Sequence, residues 1–176
     1  EIHERLVGSE MCIRDRQQAY LEKLSYRDML TGLYNRNRYI ERLEAYKQVQ
    51  DQQIGAIYID LNGLKKVNDE QGHRAGDELI VRAAGTIAGI FAEDAYRVGG
   101  DEFVVILLDV SREDFARKTE QLRRQMQENG VDASIGGVWQ ASTENLENLL
   151  RRADENMYRE KKRYYSQADA ARKPES

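Results

Sequence analysis

The segment RVGGDEF places two glycines directly before two acids, Asp101 and Glu102, between two short apolar runs that are typical of strands. A third acid, Asp60, ends the isoleucine-rich run IGAIYIDL, which predicts a buried strand. Carboxylates with a backbone carbonyl and open water positions are the ligands that Mg²⁺ prefers. Gly99 and Gly100 permit a tight turn and the close approach of a ligand. Taken alone, such a turn is more often an ordinary hairpin.

The residues that follow the isoleucine-rich strand have the side chains that a nucleotide site needs. The backbone amides near Gly63 and Leu64 and the ammonium of Lys65 suit phosphate. Asn68 and Asp77 suit the amide edge of guanine, whose N1 and N2 donors adenine lacks. Each of these residues is also common in a solvated loop. Their position relative to the acids therefore decides between the two interpretations.

Apolar periodicity predicts the elements that must position these residues. From Ile54 to Trp139 the predicted order is strand, helix, strand, strand, helix, strand, with one further helix on each side. We predict strands over residues 54–60, 94–98, 102–108 and 132–139, helices over residues 37–50, 77–91, 111–129 and 142–165, and a loop up to Gly76.

This order is that of an α+β fold with a ferredoxin-like βαββαβ core, a mainly antiparallel central sheet and surrounding helices. The first and third strands of the core are antiparallel neighbours, and right-handed crossovers put both core helices on one face. The end of the strand with Asp60 must then lie beside the turn with Asp101 and Glu102. Three neighbouring carboxylates raise one another's pKa, and a divalent cation relieves that repulsion. The topology thus favours a metal site over an ordinary turn.

Composition limits the possible classes of protein. A chain of 176 residues with 40% hydrophobic residues fits one domain. The net charge of −4 gives no long-range attraction for nucleic acid or an anionic membrane. Cys12 is the one cysteine, so no intrachain disulfide can form, and no apolar run reaches membrane-spanning length. We expect a cytoplasmic domain, or the cytoplasmic part of a larger protein that is either soluble or membrane-bound, without nucleic-acid or membrane contact of its own.

The chain divides into three predicted regions. Residues 1–26 are an N-terminal extension that ends in an incoming helix over residues 16–26, although a short solvated helix explains the pattern equally well. Within residues 1–16, the segment LVGSEMCIRDR (6–16) resembles a peptide that arises when sequencing-adaptor DNA is translated with a gene, so we expect residues 1–16 to be non-native and assign Cys12 no function. Residues 27–166 form the domain, and residues 167–176 are a polar tail.

Five segments, in the same order, resemble the GGDEF domain of diguanylate cyclases. They are DMLTGLYNR (28–36), DLNGLKKVNDEQGHRAGD (60–77), RVGGDEF (97–103), SIGGVW (134–139) and ADENMYREK (153–161). The resemblance covers nearly all of residues 20–165. It implies the palm-like fold of nucleotide cyclases and polymerases, and the condensation of two GTP molecules to cyclic di-GMP with release of two pyrophosphates. It also implies Mg²⁺ or Mn²⁺ as cofactor.

The resemblance further implies roles for single residues. Asp60, Asp101 and the Leu61 carbonyl are metal ligands, and Asp101 accepts the proton of the attacking 3′-hydroxyl. Glu102 is a second candidate for both the metal and the hydroxyl contact. The implied substrate contacts are Gly63, Leu64, Lys65 and Lys161 for phosphate, Asn68 and His73 for GTP, and Asp77 for guanine.

The resemblance also implies a homodimer, because each domain holds one GTP and a 3′-hydroxyl must reach the α-phosphorus of the other. We therefore expect a lone monomer to be inactive and an upstream sensory or dimerising domain to bring two GGDEF protomers together. A catalytically silent GTP-binding or interaction module is the alternative. Loss of a signature acid would favour it, and none is lost. Retention of Asp77 disfavours a hybrid cyclase that accepts ATP.

The sequence departs from the family pattern at three places. Ile90–Glu93 reads IFAE where the family's product-inhibition motif has Arg-x-x-Asp, so we predict no feedback at that segment. Asn62 replaces a second acid of the first motif, and Tyr165 replaces a basic residue near the phosphates. We also expect Arg97 to pair with Asp28 and so tie the N-terminal turn to the signature turn.

Overall fold

A computed structural model describes residue 21 and residues 25–171 of the chain. Residues 1–16, with Cys12, lie outside the described residues, as do residues 172–176 of the predicted tail. Of the predicted helix over residues 16–26, only residues 21, 25 and 26 are described. The bounds of the three predicted regions therefore stay predictions.

A five-stranded mixed sheet forms the centre of the domain. Its strands are β1 (Tyr34–Asn35), β2 (Ile54–Leu61), β3 (Ala95–Arg97), β4 (Glu102–Leu108) and β5 (Ala133–Gln140), in the spatial order β1-β3-β4-β2-β5. All neighbouring strands are antiparallel except β1 and β3, which are parallel.

Within residues 27–171, five helices surround this sheet. They are α1 (Arg36–Tyr46), α2 (Leu64–Gln71), α3 (His73–Phe91), α4 (Arg112–Glu128) and α5 (Leu146–Ala171), with a short 3₁₀ turn at Ala92–Asp94. The predicted α+β class and the βαββαβ order of the core, β2-α3-β3-β4-α4-β5, are confirmed. None of the helices in the described part of the chain is both long and apolar enough to span a membrane.

Side-chain alternation along the central strands creates two apolar layers. Odd-numbered residues of β2 and β4, such as Ile57 and Val105, pack with the apolar face of α3 and α4. Even-numbered residues, such as Ala56 and Val104, pack with α1 and α5. The two core helices therefore share one face, as predicted. Asp60 is even-numbered, so it lies on the face that α5 covers.

Two adjacent glycines of β5 explain how closely the helices approach the sheet. A Cβ on Gly136 would overlap the backbone nitrogen of Met157 and the backbone oxygen of Ala153, both in α5. A Cβ on Gly137 would lie 3.3 Å from the Phe115 ring of α4. The SIGGVW segment therefore sets the helix-to-sheet distance on both faces.

The predicted loop up to Gly76 was wrong, because it contains α2 and the first turn of α3. The α2 sequence LKKVNDEQ is mostly polar, and its two apolar residues, Leu64 and Val67, are too few to predict a helix, although both pack against the core. Gly63 and Gly72, which suggest a loop, instead bound the helix with φ of +73° and +87°. β1 was not predicted either, since two residues are too few for a recognisable pattern.

Candidate active site

Asp60 and Glu102 lie directly opposite each other on neighbouring antiparallel strands. Side chains at such paired positions share a face, with Cβ atoms roughly 5 Å apart. The backbone N–H of Leu61 donates to the Asp101 carbonyl over 3.0 Å, which continues the pairing into the signature turn. The topology thus brings the end of β2 and the signature turn together, as the sequence predicts.

The Asp60 side chain is buried at this edge, with only 3% of the residue exposed. The Lys161 ammonium lies 2.8 Å from Asp60 Oδ1. The same oxygen is nevertheless without a hydrogen-bond partner among the described residues. The contact is therefore an ion pair without hydrogen-bond geometry, and the buried oxygen remains able to accept a stronger partner.

Burial and neighbouring charges shift the ionisation of these acids. Burial raises the pKa of Asp60, and the Asp101 carboxylate raises it further, against the lowering effect of Lys161. Burial also raises the pKa of Glu102, with Asp60 and Asp101 adding to the shift. Burial alone would lower the pKa of Lys161, but the adjacent Asp60 raises it overall. The edge therefore has an excess of negative charge that a cation would stabilise.

The side chains at this edge fit a divalent cation but do not form a complete binding site by themselves. Within residue 21 and residues 25–171, no three acidic, histidine or cysteine side chains converge on one point. The fit rests on the buried oxygen of Asp60, which lacks a well-formed hydrogen bond, and on the ammonium of Lys161, which lies where a cation would neutralise that oxygen. Oxygen-only donors of this kind suit Mg²⁺, which completes its coordination with waters and phosphates.

The signature turn is held by backbone and side-chain hydrogen bonds. Val98 N and Gly99 N both donate to the Glu102 carbonyl, over 3.0 and 3.3 Å. Arg97 donates to the Gly100 carbonyl over 2.8 Å and to Asp28 Oδ1 over 3.0 Å. The expected pairing of Arg97 with Asp28 is therefore confirmed, and it ties the N-terminal turn to the signature turn.

The two glycines of the signature turn have different surroundings. A Cβ on Gly99 would come within 2.5 Å of Glu102 Oε2, so the acid side chain lies over this glycine. A Cβ on Gly100 would meet no atom within 4 Å. Gly100 thus borders open space beside Asp101, which leaves room for a ligand to approach the backbone.

The predicted base-binding residues lie where α2 meets α3. Asn68 is in α2, while His73 and Asp77 are exposed one turn apart at the start of α3. The Asn68 side chain packs on Gly76, where a Cβ would overlap it. Asn68 Oδ1 is buried without a hydrogen-bond partner among the described residues. A guanine N–H could satisfy that oxygen.

The predicted phosphate amides lie at the start of α2. Gly63 precedes the helix, and no side chain caps its first turn. Leu64 is the first residue of the helix, and Lys65 is exposed beside it. The Gly63 N–H donates to the Tyr165 hydroxyl over 3.3 Å. Sequence reasoning noted Tyr165 only as a departure from the family, and it missed this contact because the two residues are a hundred positions apart.

The family comparison agrees with this geometry. The model of the family described as diguanylate cyclase, GGDEF domain, matches residues 25–167, which is most of the chain. The chain belongs to the GGDEF family.

Relatives and solved structures of the GGDEF family give the same result. Diguanylate cyclase DgcS of Shewanella oneidensis is 33% identical over 147 residues, which cover 76% of this chain and 49% of that protein. Diguanylate cyclase SiaD of Pseudomonas aeruginosa, solved with its activator SiaC, has a TM-score of 0.71 at 27% identity, covering 90% of this chain and 66% of that one. The coiled coil and GGDEF domain of DgcB from Caulobacter crescentus, solved with c-di-GMP, has a TM-score of 0.73 and covers 92% of this chain and 95% of that one. At 24% identity, DgcB supports the fold alone.

The chain spans about half the length, or less, of the curated GGDEF relatives that it matches. These relatives therefore contain regions that the match does not cover. The activity of those whole proteins belongs to a longer polypeptide than the one described here.

Two departures from the GGDEF pattern have structural explanations. Asn62 is buried, and its side-chain oxygen accepts a hydrogen bond from Ser134 over 2.9 Å, so it links β2 to β5. In the IFAE segment, Phe91 is buried in the core and Glu93 forms an ion pair with Arg27 over 2.7 Å. The position of the missing inhibitory arginine, Ile90, is apolar and packs against the core.

Proposed function

We propose that this GGDEF domain is a diguanylate cyclase that condenses two GTP molecules to cyclic di-GMP and two pyrophosphates. The observation that carries the proposal is the buried Asp60 carboxylate, whose Oδ1 has an ion-pair contact with Lys161 but no well-formed hydrogen bond, and which lies opposite Glu102 beside Asp101. An ordinary hairpin would not leave a buried charge incompletely satisfied at its end. A site that receives a metal–nucleotide complex gives that arrangement a use.

Asp60, Asp101, Glu102 and the Leu61 carbonyl are the groups that would hold Mg²⁺ or Mn²⁺. When bound, the ion would neutralise the triphosphate and lower the pKa of the attacking hydroxyl. Asp60 is fixed by β2 and by burial, Glu102 begins β4 opposite it, and Asp101 lies in the signature turn. The paired strand ends thus place Asp60 and Glu102, and the turn places Asp101 beside them.

The helix pair α2–α3, which follows β2 and Asp60 in the chain, would bind GTP. The amides of Gly63 and Leu64 and the ammonium of Lys65 can hold phosphate oxygens. Asn68 and Asp77 can accept the N–H groups of guanine, which supports GTP over ATP. The remaining contacts expected from the family, His73 with GTP and Lys161 with phosphate, stay predictions.

The chain's own residues account for the proton movement. In each of the two bond-forming steps a 3′-oxygen attacks the α-phosphorus of the other GTP, a P–O bond forms, and pyrophosphate leaves. Asp101 would accept the proton of that hydroxyl, with Glu102 as the second candidate. Asp101 directly follows Gly100, which borders open space, whereas Glu102 begins β4 with its side chain over Gly99.

A second GGDEF protomer is required, because the proposed site holds one GTP and each GTP needs a partner. We propose a homodimer in which the two signature turns face each other. An upstream sensory or dimerising region would bring the protomers together, with the reaction in the cytoplasm. The helix before Arg27 would be the connection to that region.

A catalytically silent GTP-binding module is the second candidate. It is favoured by the incomplete convergence of metal-binding side chains and by the contact of Lys161 with Asp60. In this alternative the domain would bind GTP and transmit its presence to an attached region, without forming cyclic di-GMP.

The test is a product assay on the protein fused to a dimerising coiled coil, with GTP and Mg²⁺. We expect cyclic di-GMP from the fused dimer, little from the dilute unfused protein, and none when ATP replaces GTP. GTP binding without product in the fused dimer would support the silent module instead. Absence of GTP binding would reject both candidates.

A further inference from the structure

Two side chains of α5 reach the two groups of the candidate site that a metal–triphosphate complex would need. Lys161 and Tyr165 are four positions apart, so they lie on one face of the helix. Lys161 Nζ lies 2.8 Å from Asp60, and the Tyr165 hydroxyl accepts the Gly63 N–H over 3.3 Å. One turn of α5 therefore contacts both the metal-binding acid and the phosphate-binding amide.

Each of the two side chains offers the same kind of group as the ligand that it would exclude. The Lys161 ammonium is a cation beside a buried carboxylate oxygen that has no hydrogen bond. The Tyr165 hydroxyl is an oxygen that accepts from Gly63, as a phosphate oxygen would. The two side chains thus stand in for the cation and for one phosphate oxygen.

We propose that Tyr165, together with Lys161, closes the ligand-free site and must be displaced before the triphosphate binds. The inference rests on the proposed function, and it makes Tyr165 a competitor for the Gly63 N–H. That N–H has one hydrogen, which cannot fully serve both a phenol and a phosphate oxygen. The departure of this chain from the family, tyrosine in place of a basic residue, would then reduce affinity for GTP by occupying its site.

The tyrosine contact is suited to being displaced. The hydrogen bond is long, and 43% of the Tyr165 residue is exposed, so the ring can leave without opening the core. Its ring packs edge-on against Tyr164, with centroids 5.2 Å apart, which gives the closed position a preferred geometry. Lys161 is about a third exposed and can follow to solvent or to a phosphate.

The test uses the protein labelled with ¹⁵N-glycine and titrated with inorganic triphosphate and Mg²⁺, with the Gly63 amide resonance as the readout. Removing the hydroxyl in Tyr165→Phe should lower the Kd for triphosphate about threefold to tenfold, the range expected when one competing hydrogen bond is lost. The Gly63 resonance of the ligand-free protein should also shift in this variant. The matched control is Tyr158→Phe, which makes the same change at an exposed tyrosine of the same helix that packs on Lys162.

An unchanged Kd in Tyr165→Phe, or a Gly63 resonance that does not respond to triphosphate in either protein, would overturn the inference. A higher Kd would also overturn it, because the hydroxyl would then be a phosphate donor. The role of Lys161 is tested with Lys161→Gln and Mn²⁺ alone, with binding measured by electron paramagnetic resonance. We expect this variant to bind Mn²⁺ severalfold more tightly than the wild type. Unchanged or weaker binding would contradict the proposal that Lys161 occupies the position of the cation. None of these measurements needs turnover. A fused dimer that binds GTP without making cyclic di-GMP would reject the catalytic part of the proposed function and leave this inference, which rests on the GTP-binding part, standing.

Discussion

The domain contains two pairs of adjacent glycines, and the two pairs serve opposite purposes. At Gly136 and Gly137 the space for a side chain is already filled, by the backbone of α5 on one face and by Phe115 on the other. At Gly99 and Gly100 one position is covered only by the movable carboxylate of Glu102, and the other is open. The first pair is required by packing, whereas the second keeps space free at the edge with the acids.

The difference shows how one fold separates stability from binding. The β5 pair lies where helices must approach the sheet closely, so its contacts contribute to folding. The signature pair lies where the sheet edge has a buried, incompletely paired charge, which costs stability and is typical of a binding site. Substitutions at the two pairs should therefore affect different properties.

The largest effect is expected for Gly136→Ala. The new Cβ would overlap backbone atoms of α5, which cannot rotate away as a side chain can. We expect a loss of about 3 kcal/mol or more in the free energy of unfolding, measured by urea denaturation. Gly137→Ala is the graded control. We expect it to lose only about 1 kcal/mol in the free energy of unfolding, because the Phe115 ring can shift by a few tenths of an ångström. Equal stability of Gly136→Ala and the wild type would contradict the packing account of the β5 pair.

A smaller effect of opposite sign is expected for Asp60→Asn, measured with a chelator present. The change removes a buried charge at nearly constant volume, and Lys161 can turn to solvent. We expect stabilisation by about 1 kcal/mol, or about 3 °C in Tm, at pH 7. Loss of stability would mean that the ion pair contributes more than the burial of Asp60 costs.

The difference in stability between the wild type and Asp60→Asn should also depend on pH. Because the folded state raises the pKa of Asp60, the folded protein binds this proton more readily than the unfolded chain. The contribution of Asp60 to stability is therefore greatest at acidic pH and is lost as the pH rises through the raised pKa. The advantage of Asp60→Asn should shrink from pH 7 to about pH 4, and an advantage that grows on acidification would contradict the direction of the shift.

The smallest effects on stability are expected at the signature pair. Gly100→Ala fills open space and should change the free energy of unfolding by less than about 0.5 kcal/mol. Gly99→Ala should cost about 1 kcal/mol, because Glu102 must move from its place over the glycine. Both variants should reduce cyclic di-GMP formation in the fused dimer at unchanged fold. A Gly100→Ala variant with full activity would remove the argument that this space receives substrate.

The sequence predicted the arrangement of the acids because strand pairing is a long-range consequence of local patterns. Apolar runs defined β2 and β4, and their order required Asp60 to lie beside the signature turn. The Arg97–Asp28 pair was predicted as well, although these residues are 69 positions apart.

The parts that could not be predicted depend on side-chain placement or on polar helices. α2 has only eight residues, of which two, Leu64 and Val67, are apolar, so the sequence pattern is too short to identify it as a helix. The contacts of Lys161 and Tyr165 depend on how α5 packs across the sheet, including its close approach at Gly136. The pattern of residue types along the chain does not predict how a helix packs at this level of detail.

The central claim is that the acids of this sheet edge catalyse cyclic di-GMP formation, and Asp101→Asn in the fused dimer tests it most directly. The substitution removes the charge and the proposed proton acceptor at nearly constant volume. We expect product formation to fall by about a thousandfold, while Tm and the helix content remain those of the wild type. Turnover within about tenfold of the wild type would show that the chemistry does not depend on Asp101 and would contradict the account.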